Sequence, residues 1–407
     1  MRFHNIQLLR VAAAIGVVLY HLECHAPQRI GIDFSWLRYG LIGGFPVPLF
    51  FAVSGFVLAQ AVRTASPGRF LLARFLRLYP GYWLALVGVV VLMRLRVFTE
   101  YHRWLIYFIN LTELTLWPAG PAGCTYLLGV EWSLVYEAFL SVALAGLRLF
   151  GARRGVPILS AVWLIAISVK MVFWPGYYFD PIPNWPTIAL SVYNVPFLLG
   201  VLTYQLKDRG RKWRWAVLSA VVALLYVIST RPIQPELGWS CMGLAAAGAV
   251  WLAVTFSQVK ESNPLARLGD CTYGLFLFHG PILLAVLYPA SRLGWVGRVE
   301  VLWVAVVAAI GGGLLFGRLE SALHSRLRPL AKVKPAEFKE WLVRIRTRIH
   351  VRPTLLRGLW RIGWGLLTFS TGPLIRVIRH FREPTHAPTD SPLPGHRSDR
   401  PRRQPHL

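Results

Sequence analysis

The sequence predicts an all-α fold, a polytopic membrane helical bundle of about ten transmembrane helices with both termini on the cytoplasmic side. Three observations lead to this prediction. Of the 407 residues, 55% are hydrophobic and 15% are charged, whereas a soluble chain has about 45–50% and about 25%. The apolar residues fall in blocks of about twenty, the length that crosses a bilayer. Lysine and arginine collect in alternate loops, as they do beside membrane helices.

The apolar blocks predict the spans in order along the chain. Several blocks contain glycine or proline, which bundled membrane helices tolerate. One further stretch, 104–118, is too short and too polar to cross, so we expect an interfacial or re-entrant helix there. The ten spans are expected at residues 6–22, 41–62, 78–97, 126–147, 156–175, 187–206, 215–231, 238–257, 271–290 and 299–318.

The basic residues of the short loops predict the orientation. With the N-terminus inside, the inside loops hold fourteen lysines and arginines and the outside loops hold six. Cytoplasmic loops carry this excess in multi-pass proteins, so we expect N-in and C-in topology in a bacterial-type inner membrane. The net charge of +26 follows this pattern, and its position in loops and tail argues against a nucleic-acid partner.

The C-terminal region is predicted to differ from the bundle. Residues 321–382 have the pattern of basic, amphipathic cytoplasmic helices, which are suited to anionic membrane lipid. An alternative for 359–378 is an eleventh span. Residues 383–407 are rich in proline and arginine and are expected to be disordered. The four cysteines contain no CxxC pair, so we expect no metal site.

The first span carries Arg10 and His21, eleven residues apart. Since a helix has 3.6 residues per turn, both side chains lie on one stripe, about three turns apart. A charged group in membrane-spanning sequence is costly and therefore indicates a functional site. The alternative is that Arg10 reaches the cytoplasmic interface and His21 lies at the outer boundary. The shared stripe favours the site.

Two further groups lie in or beside the next spans. Ser54 and Gly55, followed by Phe56, form an element whose small residues either pack helices or bring a backbone close to a ligand. Arg74 and Arg77 share a helix face just before the third span. Their charge fits a cytoplasmic loop, and paired guanidinium groups also suit phosphate.

The later spans contain a carboxylate and a second histidine. Glu137 falls near the middle of the fourth span, where it needs a partner or a proton, and Arg10 and His21 are the candidate partners. His279 falls within the ninth span. It either bonds a neighbouring helix or is a second site residue beside His21.

Five segments in this order resemble the membrane-bound acyltransferase family 3 over roughly residues 5–318: LLRVAAAIGVVLYH, FFAVSGFVL, RFLRLYPGYW, WSLVYE and TYGLFLFHGP. These proteins O-acylate, mostly O-acetylate, carbohydrates and related hydroxyl acceptors. The resemblance implies that residues 1–320 are a transmembrane acyltransferase domain. It also implies cytosolic acyl-CoA, usually acetyl-CoA, as donor substrate, with no bound cofactor. Thr272 stands where the family often has serine, and a Phe-Tyr pair after the fourth motif is absent.

The resemblance also implies two groups of site residues. His21 would deprotonate the acceptor hydroxyl as a general base or relay the acyl group, and the paired arginines would hold the donor's phosphates. The catalytic group is Arg10, His21, Glu137 and His279. The donor- or substrate-binding group is Ser54, Gly55, Phe56, Arg74, Arg77, Trp132 and Tyr273.

Two questions stay open from the sequence. His21 and the arginine pair are predicted on opposite sides of the membrane, so either a channel along the first helix joins them or the helix is shifted. The second question is the function class. A transporter or permease for a lipid-linked sugar or polyol also uses intramembrane Arg, His and Glu, although the sequence shows no internal repeat.

Overall fold

The computed structural model describes residues 3–33, 44–95, 97, 114–118, 127–174, 183–231 and 233–332. These residues form helices and no strand, as expected of an all-α bundle. All of them belong to one compact unit, Met1–Val333. The ten longest helices are α1 (His4–Ile30), α2 (Pro46–Thr64), α3 (Pro67–Arg94), α4 (Glu131–Leu147), α5 (Gly155–Phe173), α6 (Val195–Leu206), α7 (Arg214–Thr230), α8 (Pro235–Thr255), α9 (Thr272–Arg292) and α10 (Val299–Leu327).

Each of these ten helices coincides with one predicted span. Eight of them are long and apolar enough to cross a membrane, which confirms a polytopic helical bundle. The other two, α6 and α7, are shorter apolar helices. Their sequences were predicted to span, and α6 reaches only 12 residues because a 3-10 turn, Val192–Asn194, precedes it.

Three helices extend beyond the predicted apolar blocks. Helix α1 runs to Ile30 rather than to residue 22, and Gly31 ends it with φ +68°. Helix α3 starts at Pro67, so Arg74 and Arg77, predicted on one helix face just before the third span, lie within that helix. Helix α10 continues to Leu327, and the predicted domain boundary at 320 lies inside it. Hydropathy misses such ends because the polar turns of a helix lie outside the apolar block.

Small residues set the closest contacts between helices. At the crossing of α2 and α6, a Cβ on Gly55 would lie 2.0 Å from the carbonyl oxygen of Phe197. A Cβ on Gly200 would lie 2.1 Å from that of Ala52. At the crossing of α9 and α10, a Cβ on Gly274 would meet the backbone at 2.3 Å. These glycines let backbones touch, as is common between membrane helices.

Several predictions concern residues outside the described ranges. The basic amphipathic segment 321–382 is described only to residue 332, and neither the alternative span 359–378 nor the tail 383–407 is described. Of the stretch 104–118, residues 114–118 are described. They lie against α3, whose Tyr79 and Trp83 donate hydrogen bonds to the carbonyl oxygens of Thr115 and Leu114 at 2.5 and 2.9 Å.

Candidate active site

A cavity of about 810 Å³ opens among helices α1, α2, α3, α4, α9 and α10. It lies toward the end of the bundle where α1 begins and α10 ends, because the first turns of α1 and the last turns of α10 line it. Most residues predicted for the site face this one space. Those on its wall are Arg10, Ser54, Phe56, Arg74, Arg77, Glu137 and Tyr273.

The carboxylate of Glu137 is held on the cavity wall by two side chains, Arg74 and Ser54. Arg74 forms an ion pair with its Oε1 atom, and Ser54 Oγ donates to the same oxygen at 3.0 Å. Arg74 also donates from Nε to Ser141 Oγ at 3.3 Å. The sequence suggested Arg10 or His21 as partner for Glu137, and the structure gives Arg74 and Ser54 instead. The extension of α3 before residue 78 brings Arg74 to α4.

Arg77 has a different carboxylate partner, Glu320 on α10. The Arg77 guanidinium also lies 4.8 Å from the centroid of the Tyr273 ring, and Tyr273 donates its hydroxyl to the carbonyl of Leu78 at 2.8 Å. Glu320 is 1% exposed and is not on the cavity wall. Arg77 is therefore anchored from behind by a buried carboxylate, whereas Arg74 is paired with a carboxylate that itself faces the cavity.

Glu320 is not among the residues that the sequence predicts for the site. It follows the predicted end of the tenth span at 318, where an acidic residue reads as part of a solvated segment. Its burial depends on the closeness of α3, since a Cβ on Gly81 would lie 2.6 Å from Glu320 Cγ. The sequence around Glu320 contains no signal that predicts its contact with α3.

Arg10 lies one to two turns into α1, on the same wall as the other arginines. It donates from Nη1 to Gln7 Oε1 at 3.2 Å. Glu137 accepts no hydrogen bond from it in the described residues, so Arg10 keeps donors available to the cavity. The cavity thus carries Arg10, Arg74 and Arg77 from α1 and α3, together with Glu137, Asp270 and, after the end of α10, Arg328.

His21 and His279 form a hydrogen-bonded pair where α1 meets α9. The His279 Nε2 atom lies 3.0 Å from His21 Nδ1, and the ring centroids are 4.9 Å apart. His279 is fully buried. The sequence left a choice between an isolated histidine and a second site residue for His279, and the geometry joins it to His21.

The partners of the two rings assign their protons. His279 Nδ1 faces the carbonyl oxygens of Leu275 at 3.1 Å and Phe276 at 2.8 Å. Since carbonyls only accept, Nδ1 carries the hydrogen and Nε2 of the neutral ring accepts. His21 Nδ1 faces that acceptor and the Val17 carbonyl at 3.1 Å, so it is the donor. This assignment, made from the hydrogen-bond network, leaves His21 Nε2 with a free lone pair.

The histidine pair lies beyond the cavity rather than on its wall. Three turns of α1, about 16 Å of rise, separate Arg10 from His21. Phe276 links the two regions, because it lines the cavity and its ring centroid is 6.3 Å from that of His279. The Phe50 ring packs against Phe276 at 5.5 Å. An extended group from the cavity would have to pass these two rings to reach the histidines.

Two predicted substrate-binding residues do not face the cavity. Gly55 lies against the backbone of α6, so of its two predicted roles it takes helix packing. Trp132 packs in an aromatic cluster with Phe51, Tyr193 and Trp239, at centroid distances of 6.4, 5.2 and 6.5 Å. Within the described part of the chain, no group of three His, Cys, Asp or Glu side chains is placed to hold a metal ion.

A family model described as an acyltransferase domain matches residues 3–318, which contain the whole histidine pair and most of the cavity wall. The chain belongs to this acyltransferase family. The match ends before Glu320 and the last turns of α10. No solved structure shows significant similarity to the chain.

Relatives of this acyltransferase come from several bacteria. It is 26% identical over 332 residues to the peptidoglycan O-acetyltransferase OatA of Listeria monocytogenes, which covers 69% of this chain and 49% of OatA. It is 23% identical over 352 residues to Nodulation protein 10 of Rhizobium leguminosarum bv. viciae, with 76% and 88% covered. The exopolysaccharide production protein ExoZ of Rhizobium meliloti is 23% identical over 314 residues, with 70% and 88% covered. The chain thus spans about half the length of OatA.

Proposed function

We propose that the protein is an integral membrane O-acyltransferase that moves an acyl group, in the first place acetyl, from cytosolic acyl-CoA to a hydroxyl of a carbohydrate. The observation that carries this proposal is the hydrogen-bonded pair of His21 and His279, which leaves His21 Nε2 as a free base. Two of the relatives are named for work on polysaccharides, peptidoglycan in one and exopolysaccharide in the other. Carbohydrate is therefore the acceptor class that we favour.

In the proposed reaction, His21 Nε2 takes the proton of the acceptor hydroxyl. The hydroxyl oxygen attacks the thioester carbonyl carbon, a C–O bond forms, and the C–S bond then breaks. The CoA thiolate leaves and takes up the proton that His21 received. His279 holds the imidazole of His21 in the required tautomer and stabilises the charged ring through its Nε2 acceptor. General base catalysis of this kind contributes about 10²–10⁴ in rate.

The basic cavity is the proposed donor site. Phosphate groups of CoA would meet Arg10, Arg74 and Arg77, whose guanidinium groups pair with phosphate in charge-assisted hydrogen bonds. Arg77 needs no rearrangement to do so, because its carboxylate partner lies behind it. Arg74 has to exchange the Glu137 carboxylate for phosphate, or share it. Phe50 and Phe276 would then lie along the acyl arm as it reaches His21.

The orientation of the chain follows the same proposal. The cavity lies at the end of the bundle where α1 begins and α10 ends. The loops at that end carry most of the lysine and arginine, which favours the cytoplasmic side of an inner membrane. The donor would enter from the cytosol and the acceptor from the other face. This topology places residues 33 and 231 outside the cytoplasm. A fused reporter enzyme that is active only outside the cytoplasm should therefore be active after either residue.

A transfer assay tests the proposal directly. Purified protein in lipid nanodiscs is given radiolabelled acetyl-CoA and glycan from the producing cells, and label in the glycan is counted. We expect transfer by the wild type and background counts for His21→Ala. No transfer by a folded wild type, with any donor thioester, would contradict acyl-CoA as the donor. Mass spectrometry of surface glycans from cells with and without the protein identifies the acceptor.

A further inference from the structure

The last turns of α10 and the residue that follows the helix present four polar side chains to the cavity. Ser321, His324, Ser325 and Arg328 all lie on its wall. Their spacing of three, four and seven residues puts them on one helix face. They follow residue 318, where the match to the acyltransferase family ends. This face is therefore a part of the cavity wall that follows the residues matched by the family model.

Arg328 differs from the other cavity arginines in its partners. Arg74 and Arg77 are each paired with a carboxylate, and Arg10 donates to the Gln7 amide. Within residues 3–332 as far as they are described, Arg328 forms no ion pair and its side chain is exposed. Its guanidinium is therefore open to an incoming anion at the mouth of the cavity.

Arg328 directly follows the end of α10 and is separated along the chain direction from the level of Arg77. Glu320 marks the level at which Arg77 is held, and Arg328 follows eight residues later, a rise of about 12 Å. A ligand that contacts only Arg77 needs a single anionic group, such as one phosphate. A ligand that contacts both arginines must carry two anionic groups set well apart. Coenzyme A does so, because it carries a diphosphate and a separate phosphate on the ribose 3′ position.

A hydrogen bond holds the last turn of α10 against the segment of α3 that carries Arg74 and Arg77. His324 Nδ1 lies 3.2 Å from the carbonyl oxygen of Leu76, and Leu76 stands between Arg74 and Arg77 on α3. Arg328 and the pair Arg74 and Arg77 are thus carried by two helix segments that are bonded to each other. The C-terminal end of α10 itself presents negative partial charge. The charge of Arg328, rather than the helix end, would have to attract an anion here.

We propose that Arg328, with Ser321, His324 and Ser325 beside it, forms a second anion subsite that binds the 3′-phosphate of the CoA donor. The subsite makes the enzyme select CoA thioesters over donors without this phosphate. This inference rests on the proposed function, because it assumes an acyl-CoA donor. It adds a specificity-determining residue that follows the residues matched by the family model.

The test compares two donors that differ only in the 3′-phosphate. Acetyl-CoA and acetyl-3′-dephospho-CoA are given to the full-length protein in nanodiscs, and donor KM and kcat are measured for the wild type, Arg328→Gln and Arg326→Gln. Arg326 is the matched control, because it is exposed on the same turns of α10 and does not line the cavity. For the wild type we expect a KM for acetyl-CoA about tenfold below that for the dephospho donor, as the loss of a charge-assisted hydrogen bond implies.

In Arg328→Gln the KM for acetyl-CoA should rise to that of the dephospho donor, with no change in the KM of the dephospho donor itself. Arg326→Gln should keep the wild-type ratio. Equal KM values in the wild type, an unchanged ratio in Arg328→Gln, or a loss of the ratio in Arg326→Gln would each overturn the subsite while leaving acyl-CoA as donor. Failure of both donors in the wild type would overturn the proposed function as well.

Discussion

The two neighbouring arginines, Arg74 and Arg77, should differ in their contribution to stability. Arg77 pairs with Glu320, which is 1% exposed and whose Oε2 atom has no hydrogen-bond partner in the described structure. Arg74 pairs with Glu137, which is 19% exposed and also accepts from Ser54. Removing one partner of a buried pair leaves the other charge stranded and costs about 3–5 kcal/mol. Loss of a part-exposed pair costs about 1 kcal/mol.

We therefore expect Arg77→Ala to lower the unfolding temperature of the purified protein by several degrees more than Arg74→Ala. Thermal unfolding of both variants in the same detergent, followed by intrinsic tryptophan fluorescence, measures the difference. The double variant Arg77→Ala with Glu320→Gln is the control. It removes the stranded charge, so it should recover part of the loss. Equal shifts for the two single variants, or no recovery in the double variant, would refute the ion-pair argument.

Three other variants test the packing and the histidine pair. Gly55→Ala should lower the yield of folded protein on size-exclusion chromatography, because its Cβ would lie 2.0 Å from the Phe197 carbonyl. Gly146→Ala, with nothing within 4 Å, should leave the yield unchanged or raise it, and equal losses for both would contradict the crossing. His279→Ala should lower kcat on the order of 10²-fold with little change in donor KM, because it positions the base. A large KM effect with normal kcat would instead place His279 at the donor.

The fold was largely predictable because hydropathy and loop charge report membrane spans directly. Each predicted span coincides with a helix of the structure. The helix ends were less predictable. The polar turns of α3 and α10 lie outside the apolar blocks, yet they carry Arg74 and Glu320. Helix ends of this kind are fixed by tertiary contacts that a hydropathy window does not contain.

The site was predictable in its residue types and less so in its pairings. The stripe of Arg10 and His21 follows from helical periodicity alone, and both residues lie on α1 as expected. The partners of Glu137 did not follow, because they depend on which helices are neighbours. The contact between His21 and His279, 258 positions apart, was likewise a matter of tertiary packing. Sequence spacing reports one helix face, and only the packing of helices decides what that face meets.

The sequence left open how the arginine pair is joined to His21. The cavity and the histidine pair are separate, and Phe276 contacts both. In the proposed transfer the acyl arm therefore has to pass the rings of Phe50 and Phe276 to reach His21. A side chain bulkier than phenylalanine at position 50 or 276 should lower the kcat of transfer more than it raises the donor KM.

The most direct test of the account is acetyl transfer by His21→Ala beside His25→Ala. His25 lies one turn further along α1, with its ring stacked 6.3 Å from that of His21, so it controls for the loss of an imidazole from this region. With equal amounts of folded protein and radiolabelled acetyl-CoA, we predict that His21→Ala loses detectable transfer and that His25→Ala retains it. Transfer by His21→Ala close to the wild-type rate would contradict the assignment of His21 as the base.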